Sequence, residues 1–159
     1  MILVLLGTQN NSFLRLLSEI DLLINDGVIH DEVIVQAGHT KYNTKNMQVF
    51  DFIPKDQMDA LINSASLIIT HGGVGSIMKG LKLNKKIIAI PRLKEFNEHV
   101  NDHQIQIIKN FDELGYIKGV INLHDLRYAI ENINQFNPAK FDNNNSKIEE
   151  IIYNYISNN

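Results

Sequence analysis

Short apolar runs alternate with amphipathic stretches along most of the chain. Runs of this kind, rich in β-branched residues, are typical of buried parallel strands, and they occur at residues 2–6, 32–36, 48–52, 67–70 and 86–90. The intervening stretches carry apolar residues at helical spacing and predict helices at residues 12–25, 55–64, 76–83 and 99–114. The alternation predicts an α/β fold, a doubly wound, Rossmann-like parallel sheet with helices on both faces.

The pattern changes at about residue 122, where we expect a C-terminal helical extension of a single domain that spans residues 1–159. A helix is predicted at residues 123–134, and an Asn-rich connection follows it. The last segment places five apolar side chains on one helical stripe: Ile148, Ile151, Ile152, Tyr155 and Ile156. Such a stripe indicates a helix that packs on its own domain or docks on a partner subunit, and the sequence leaves both interpretations open.

Composition and charge exclude several functional classes. The formal net charge is −3, so no overall basic field predicts a nucleic-acid partner. There is no cysteine, which excludes disulfides and thiolate metal sites and is consistent with a cytoplasmic location. The N-terminal apolar run ends at Gly7, too early for a signal peptide or for the ~20 apolar residues of a spanning helix. We therefore expect a chain that does not itself cross a membrane.

Segment 70–76, Thr-His-Gly-Gly-Val-Gly-Ser, joins a predicted strand to a predicted helix. Three glycines allow a ligand to approach the backbone closely, and a helix start offers unpaired N–H groups and a positive dipole end to a phosphate. Ser76 is expected to cap the helix or to donate to a phosphate oxygen. The dinucleotide, P-loop and hydrolase-elbow patterns do not match this spacing. A tight turn without a ligand is the alternative.

Several motifs follow one another in a fixed order: segments 5–9 (Leu-Leu-Gly-Thr-Gln), 36–39 (Gln-Ala-Gly-His) with Tyr42, 50–53 (Phe-Asp-Phe-Ile), 71–76, 91–92 (Pro-Arg) and 101–104 (Asn-Asp-His-Gln). Together they resemble the nucleotide-sugar-binding half of glycosyltransferase family 28, from residue 1 to about residue 118. The resemblance implies the C-terminal half of a GT-B glycosyltransferase. It extends to small subunits of two-component bacterial capsule and exopolysaccharide transferases, and to the catalytic subunit of the eukaryotic dolichol-linked N-acetylglucosaminyltransferase.

The resemblance also implies which residues bind the donor. Segment 72–76 would hold the pyrophosphate, segment 7–9 would face the reacting centre, and segment 102–104 would bind the sugar hydroxyls. Phe52 and Ile53 would bind the base, with plain core packing of Phe52 as the alternative. The full donor-binding set comprises Gly7, Thr8, Gln9, Phe52, Ile53, His71, Gly72, Gly73, Gly75, Ser76, Arg92, Asp102, His103 and Gln104.

One position departs from the family pattern. Relatives commonly carry a glutamate on the first turns of the helix after the Gly-rich loop, where it holds the ribose hydroxyls, and Lys79 stands there in this chain. A lysine cannot accept hydrogen bonds from hydroxyl groups. We expect Lys79 to be a solvated helix residue, with approach to a phosphate as the alternative.

The function implied is that of a donor-binding or catalytic subunit of a split, inverting glycosyltransferase. It would transfer a hexose, above all of the galactose type, from a UDP-sugar to a lipid-linked saccharide in capsule or exopolysaccharide biosynthesis. A membrane-anchored, acceptor-binding partner subunit is expected to hold it at the inner face of the plasma membrane. A non-catalytic nucleotide-sugar-binding module and a UDP-sugar epimerase or hydrolase are the alternatives.

Histidines are the candidate catalytic groups. His39 and His71 both follow predicted strands, and histidine can act as a general base near neutral pH; a base supplied by the partner is the alternative. His99 and His103 have the i, i+4 spacing of helical metal ligands, but the HExxH and D-x-D patterns are absent from the sequence. We therefore expect no metal and no cofactor, with the UDP-sugar as co-substrate.

Overall fold

The computed structural model of the protein describes residues 1–142 and 144–157, so residues 143, 158 and 159 of the predicted extension lie outside the described part. Within it, six strands form one sheet in the order β3-β2-β1-β4-β5-β6, and every neighbouring pair is parallel. The strands are β1 (Ile2–Leu5), β2 (Val33–Gln36), β3 (Gln48–Phe50), β4 (Leu67–His71), β5 (Lys86–Ile90) and β6 (Lys118–Gly119). The predicted doubly wound parallel sheet is confirmed.

Helices cover both faces of this sheet. The α-helices are α1 (Leu14–Asn25), α2 (Lys55–Ser64), α3 (Val74–Lys82), α4 (His103–Glu113), α5 (Leu126–Glu131) and α6 (Ser146–Ser157). Short 3₁₀ turns lie at Lys94–Phe96, Leu123–Asp125 and Ile133–Gln135. No helix within the described residues is both long enough and apolar enough to span a bilayer.

The alternation of side chains along β1 divides the core into two layers. Ile2 and Val4 pack with the buried face of α1, whereas Leu3 and Leu5 pack with the buried faces of α3 and α4. Both β1 and β4 are buried at every position. Because both faces of these central strands are buried, their sequences are continuous apolar runs and do not alternate between apolar and polar residues.

Several predicted elements and boundaries differ from those in the structure. Strand β6 was missed because it has only two residues, Lys118 and Gly119, and no apolar run. Helix α3 begins two residues earlier than predicted, at Val74, and α4 begins four residues later, at His103. The chain before α4 forms the 3₁₀ turn Lys94–Phe96, and Asn97, which follows it, has a φ of 56° that is incompatible with a continuing helix.

The predicted helix at residues 123–134 is broken into α5 and two flanking 3₁₀ turns. The Asn122 side chain accepts a hydrogen bond from the N–H of His124, and the Asn132 side chain donates to the Tyr128 carbonyl at 2.8 Å. Asparagine side chains compete with helical backbone bonds in this way and shorten the helix.

The C-terminal helix α6 packs on its own domain through its first half. Ile148 and Ile151 are buried in the core layer that contains α4, and Ile152 packs against that layer. Ile156, in the last turn, is 68% exposed. The packing interpretation of the apolar stripe is therefore confirmed for the first half of α6, and the end of the helix carries exposed apolar surface.

Candidate functional site

The carboxyl ends of β1 and β4 meet at the centre of the sheet, where the chain order reverses direction. Open parallel sheets bind ligands at such a point. A cleft of about 260 Å³ lies there, and we call it the switch-point cleft. Its lining comprises Gly7, Thr8, Gln9, Gln36, His71, Gly73, Val74, Gly75, Ser76, Lys79, His99, His103, Gln104, Ile107 and Tyr155.

The start of α3 points its backbone donors into this cleft. The first hydrogen bond of the helix runs from the Ile77 N–H to the Gly73 carbonyl at 3.2 Å, so the N–H groups of residues 74–76 have no partner within the helix. They carry the positive end of the helix dipole. Because α3 begins at Val74, Ser76 lies in the first turn and does not cap the helix. Of its two predicted roles, donation to a phosphate oxygen stays a prediction.

Gly75 stands apart from the other glycines of the loop. A Cβ atom added there would meet no protein atom within 4 Å. The packing of the protein therefore does not require glycine at this position, although glycine weakens a helix relative to alanine. Gly75 lines the switch-point cleft, so the space beside it is part of that cleft.

The His71 imidazole is held between two glycines. A Cβ atom on Gly7 would lie 2.5 Å from Nε2 of His71, and one on Gly73 would lie 2.2 Å from its Cε1. Gly7 also has a φ of 78°, a conformation that strains other residues. Both glycines are therefore required for His71 to occupy this place.

Gln104 fixes the orientation of that imidazole. Its Oε1 accepts hydrogen bonds from the backbone N–H groups of Gly72 and Arg92, each at 3.0 Å. The amide nitrogen must then face His71, and it lies 3.2 Å from Nδ1. An amide N–H can only donate, so Nδ1 accepts, and the proton of the neutral imidazole lies on Nε2.

The same surroundings keep His71 neutral. Burial of the ring, followed by the positive charge of Arg92, lowers the pKa of His71 to about 4. At neutral pH His71 therefore offers an Nε2–H donor on the side of Gly7 and Gly73. A base must accept a proton at an unprotonated nitrogen, so this state favours hydrogen-bond donation over general-base catalysis.

Because His71 is neutral in the folded protein, we expect the protein to lose stability as the pH falls. Because its pKa in the folded protein is below that of the unfolded chain, its contribution to stability is complete above about pH 6.5 and is lost as the pH falls toward 4. We expect His71 to account for about 2 kcal/mol of destabilisation between pH 7 and pH 4.5. Denaturant titrations of the wild type and of His71→Asn, which keeps an acceptor for Gln104, measure this. Equal acid sensitivity of the two proteins would show that His71 is not neutral by burial.

Arg92 lies beneath the cleft rather than in it. Its side chain is fully buried and donates to the carbonyls of Leu6 at 2.7 Å, Asn11 at 2.7 Å and Glu98 at 3.2 Å. The guanidinium also lies over the ring of Phe13. Direct contact between Arg92 and the donor, which the resemblance implied, does not fit this position. Arg92 instead holds the β1–α1 loop that carries residues 7–9.

A partly buried ion pair between Arg15 and Glu98 extends this support. Both carboxylate oxygens of Glu98 accept from Arg15, at 2.9 and 2.8 Å, and one of them also accepts from the Leu93 N–H at 3.0 Å. Burial lowers the pKa of Arg92 to about 10, while the negative charge of Glu98 opposes that shift. The guanidinium therefore remains charged at neutral pH.

Five other predicted site residues lie outside the lining of the cleft: His39, Phe52, Ile53, Gly72 and Asp102. Gly72 is buried against Gln104, where a Cβ atom would lie 2.7 Å from the Cβ of Gln104. Asp102 accepts from the Lys94 N–H at 2.8 Å and lines a neighbouring groove. Phe52 is 53% exposed and meets the His39 ring edge-on, so the alternative of core packing was wrong for Phe52. The Ile53 N–H donates to Oε1 of Gln36 at 2.9 Å, which connects this edge to the cleft through Gln36.

The cleft also contains residues that were not predicted to bind the donor. Gln36 ends β2, and its position at a strand end was a usable signal. Lys79 is an exposed residue of α3, as expected, and it also lines the cleft. Ile107 and Tyr155 enter it from α4 and α6, and no local motif marks them.

His99 and His103 do not lie on one helix, because α4 begins only at His103. Their i, i+4 spacing therefore does not place them together as helical metal ligands. The His99 Nδ1 accepts from the Asn101 N–H at 3.3 Å. Among residues 1–142 and 144–157, no group of three or more His, Cys, Asp or Glu side chains could hold a metal ion.

A family model described as glycosyltransferase family 28 C-terminal domain matches residues 1–157. The chain is similar to the UDP-N-acetylglucosamine transferase subunit ALG13 of Candida glabrata, with 30% identity over 91 residues, 57% of this chain and 42% of that protein. The subunit of the same name from Saccharomyces cerevisiae is 41% identical over 69 residues, 43% of this chain and 31% of that protein. The chain spans less than half the length of these relatives.

Solved structures share the fold. An NMR solution structure of ALG13 has a TM-score of 0.61 and 22% identity, covering 94% of this chain and 93% of that one. The calicheamicin glycosyltransferase CalG4 has a TM-score of 0.57 and 16% identity, covering 98% of this chain and 38% of that one. These likenesses confirm the predicted architecture, that of the C-terminal half of a GT-B glycosyltransferase.

Proposed function

Because this chain belongs to the glycosyltransferase family 28 C-terminal domain family, we propose that it is the donor-binding subunit of a split, inverting glycosyltransferase that uses a UDP-sugar. One observation carries this proposal: the start of α3, whose first three N–H groups have no partner within the helix, lies in the switch-point cleft beside open space at Gly75. This arrangement suits the pyrophosphate of a nucleotide sugar. The N–H groups and the helix dipole supply positive potential, so we propose no metal or other cofactor.

Chemically, the cleft would assist departure of the nucleotide. Transfer breaks the bond between the anomeric carbon and a phosphate oxygen, and negative charge grows on the leaving diphosphate. Preoriented donors near such an oxygen lower the barrier without reorganising. The N–H groups of residues 74–76 and the Nε2–H of His71 are the donors that this chain would supply.

Fewer hydrogen-bonding groups of segment 102–104 are available to the sugar than the resemblance implied. Gln104 already uses Oε1 twice and one amide hydrogen for His71, which leaves one N–H for a ligand. His103 is exposed at the start of α4 and lines the cleft, so it is the better candidate to contact sugar hydroxyls.

We propose that a partner subunit supplies the acceptor site and the general base. His71 is unsuited to that role, and His39 is exposed beside Phe52, outside the lining of the cleft. The partner would be membrane-anchored and would bind a lipid-linked saccharide, placing this chain at the cytoplasmic face of the plasma membrane. The exposed end of α6, with Ile156, is the surface we assign to it.

The most detailed part of the proposal is the identity of the donor sugar. The names of the yeast relatives favour UDP-N-acetylglucosamine as the first donor to test. A galactose-type hexose, and a role in capsule or exopolysaccharide synthesis, rest on the sequence resemblance alone and are the second choice.

Calorimetric titration of the full chain with UDP and with UDP-linked N-acetylglucosamine, galactose, glucose and glucuronate tests donor binding. We expect saturable binding of UDP and tighter binding of one UDP-sugar. If neither UDP nor any UDP-sugar binds, the proposed function is wrong. Free sugar or epimerised nucleotide released without an acceptor would favour the hydrolase or epimerase alternative. Binding without transfer by the reconstituted pair would favour the non-catalytic module.

Replacing Gly75 with alanine tests whether this glycine serves ligand binding rather than folding stability. The added methyl group meets no protein atom, so the free energy of unfolding should rise by about 0.5–1 kcal/mol, as for other helical Gly→Ala changes. The same methyl group would occupy the space proposed for the phosphate, and the affinity for UDP should fall about tenfold. Thermal unfolding and UDP titration measure the two effects. Unchanged UDP affinity would place the phosphate elsewhere.

A further inference from the structure

The switch-point cleft has an uneven distribution of charge. The chain carries 18 acidic and 15 basic side chains. Among the described residues, however, the lining of the cleft includes a lysine and three histidines but no aspartate or glutamate. This lining contains the positive charge of Lys79 and offers no carboxylate to a ligand hydroxyl.

Lys79 is the lysine in that lining, and it has no competing partner. Within the described part of the chain, no ion pair or hydrogen bond engages its ammonium group. The residues one turn away along α3 are Gly75 and Ser76 on one side and Lys82 and Leu83 on the other, so no neighbouring carboxylate neutralises it.

The helix geometry directs Lys79 toward the start of α3. Side chains on an α-helix tilt toward its N-terminus, so the stem of Lys79 lies over the turn that contains Gly75 and Ser76. Gly75 has no side chain, and the space above it is open. The ammonium group can therefore reach the region in front of the unpaired N–H groups of residues 74–76.

We propose that Lys79 binds the diphosphate of the donor, and that the cleft recognises the nucleotide through its phosphates rather than through the ribose hydroxyls. This inference rests on the proposed function, in which the cleft holds a nucleotide sugar. An ammonium group donates three hydrogen bonds and accepts none. Nucleotide sites in related sheets commonly hold the ribose 2′-hydroxyl with a carboxylate. The substrate class that follows is a nucleoside diphosphate sugar whose 2′-hydroxyl contributes little to affinity.

The test is titration of this chain with UDP and with 2′-deoxy-UDP, for the wild type, Lys79→Met and Lys82→Met. Methionine keeps an unbranched apolar stem and removes the charge. Lys82→Met is the matched control, because Lys82 lies on the same helix, is exposed and does not line the cleft. Thermal unfolding of all three proteins checks that the fold is unchanged.

We expect Lys79→Met to weaken UDP binding about tenfold, the loss typical of one charge-assisted hydrogen bond, and Lys82→Met to change it less than about twofold. The wild type should bind UDP and 2′-deoxy-UDP within about threefold of each other. Added NaCl should weaken the wild type more than Lys79→Met.

Three results would overturn the inference. Equal UDP affinity of the wild type and Lys79→Met would remove Lys79 from the site and leave the proposed function intact. A preference for UDP over 2′-deoxy-UDP above about tenfold would show that the ribose is gripped by another group. Absence of any UDP binding by the wild type would overturn the proposed function and this inference together.

Discussion

Replacing Arg92 with methionine is expected to lower the free energy of unfolding by about 4 kcal/mol, the cost of removing one partner from a buried charged network. The guanidinium donates to the carbonyls of Leu6, Asn11 and Glu98 from a fully buried position. Methionine fills part of the volume but donates to none of them. Thermal unfolding should show a midpoint lower by roughly 10 °C.

Arg127→Met is the control for this prediction. Arg127 pairs with Asp26, and both side chains are well exposed, so its removal should cost less than about 1 kcal/mol. Arg92→Lys should fall between the two, because it keeps the charge but loses the planar fork. Equal losses for Arg92→Met and Arg127→Met would show that the buried arginine does not support the fold.

Replacing Gly73 with alanine should remove most of the donor affinity while leaving the chain folded. Gly73 has φ −77° and ψ 125°, a backbone conformation open to alanine, so the cost arises only from its neighbour. The new Cβ atom would lie 2.2 Å from Cε1 of His71 and must displace the imidazole from Gln104. We expect a loss of about 1–3 kcal/mol in stability and of roughly 100-fold in UDP affinity.

A double substitution identifies the cause of that loss. If the clash with His71 is responsible, Gly73→Ala should cost much less stability in a His71→Ala background than in the wild type. Gly75→Ala, which meets no protein atom, serves as the comparison within the same loop. Additive stability losses for Gly73→Ala and His71→Ala would contradict the steric explanation.

Much of the site could be predicted because its parts are contiguous in sequence. A strand, a Gly-rich loop and a helix start occupy residues 67–82, and the parallel sheet brings the end of β1 beside them. Gly7, His71 and Gly73 therefore lie in the cleft as expected. Arg92 and Asp102 could not be placed in this way, because the sequence does not specify which groups their side chains bond.

The sequence by itself determined the parallel sheet and the place of the cleft. Buried central strands require continuous apolar runs, and glycines at close approaches have no substitute. Only the tertiary structure decided which groups the polar side chains contact. Arg92 bonds a carbonyl 86 residues away, Gln104 bonds His71 at a separation of 33, and Lys79 lines a cleft that Tyr155 enters from α6. The local sequence determines whether a segment forms a helix or a strand. Side chains distant in sequence become hydrogen-bond partners only when the packed core brings them together.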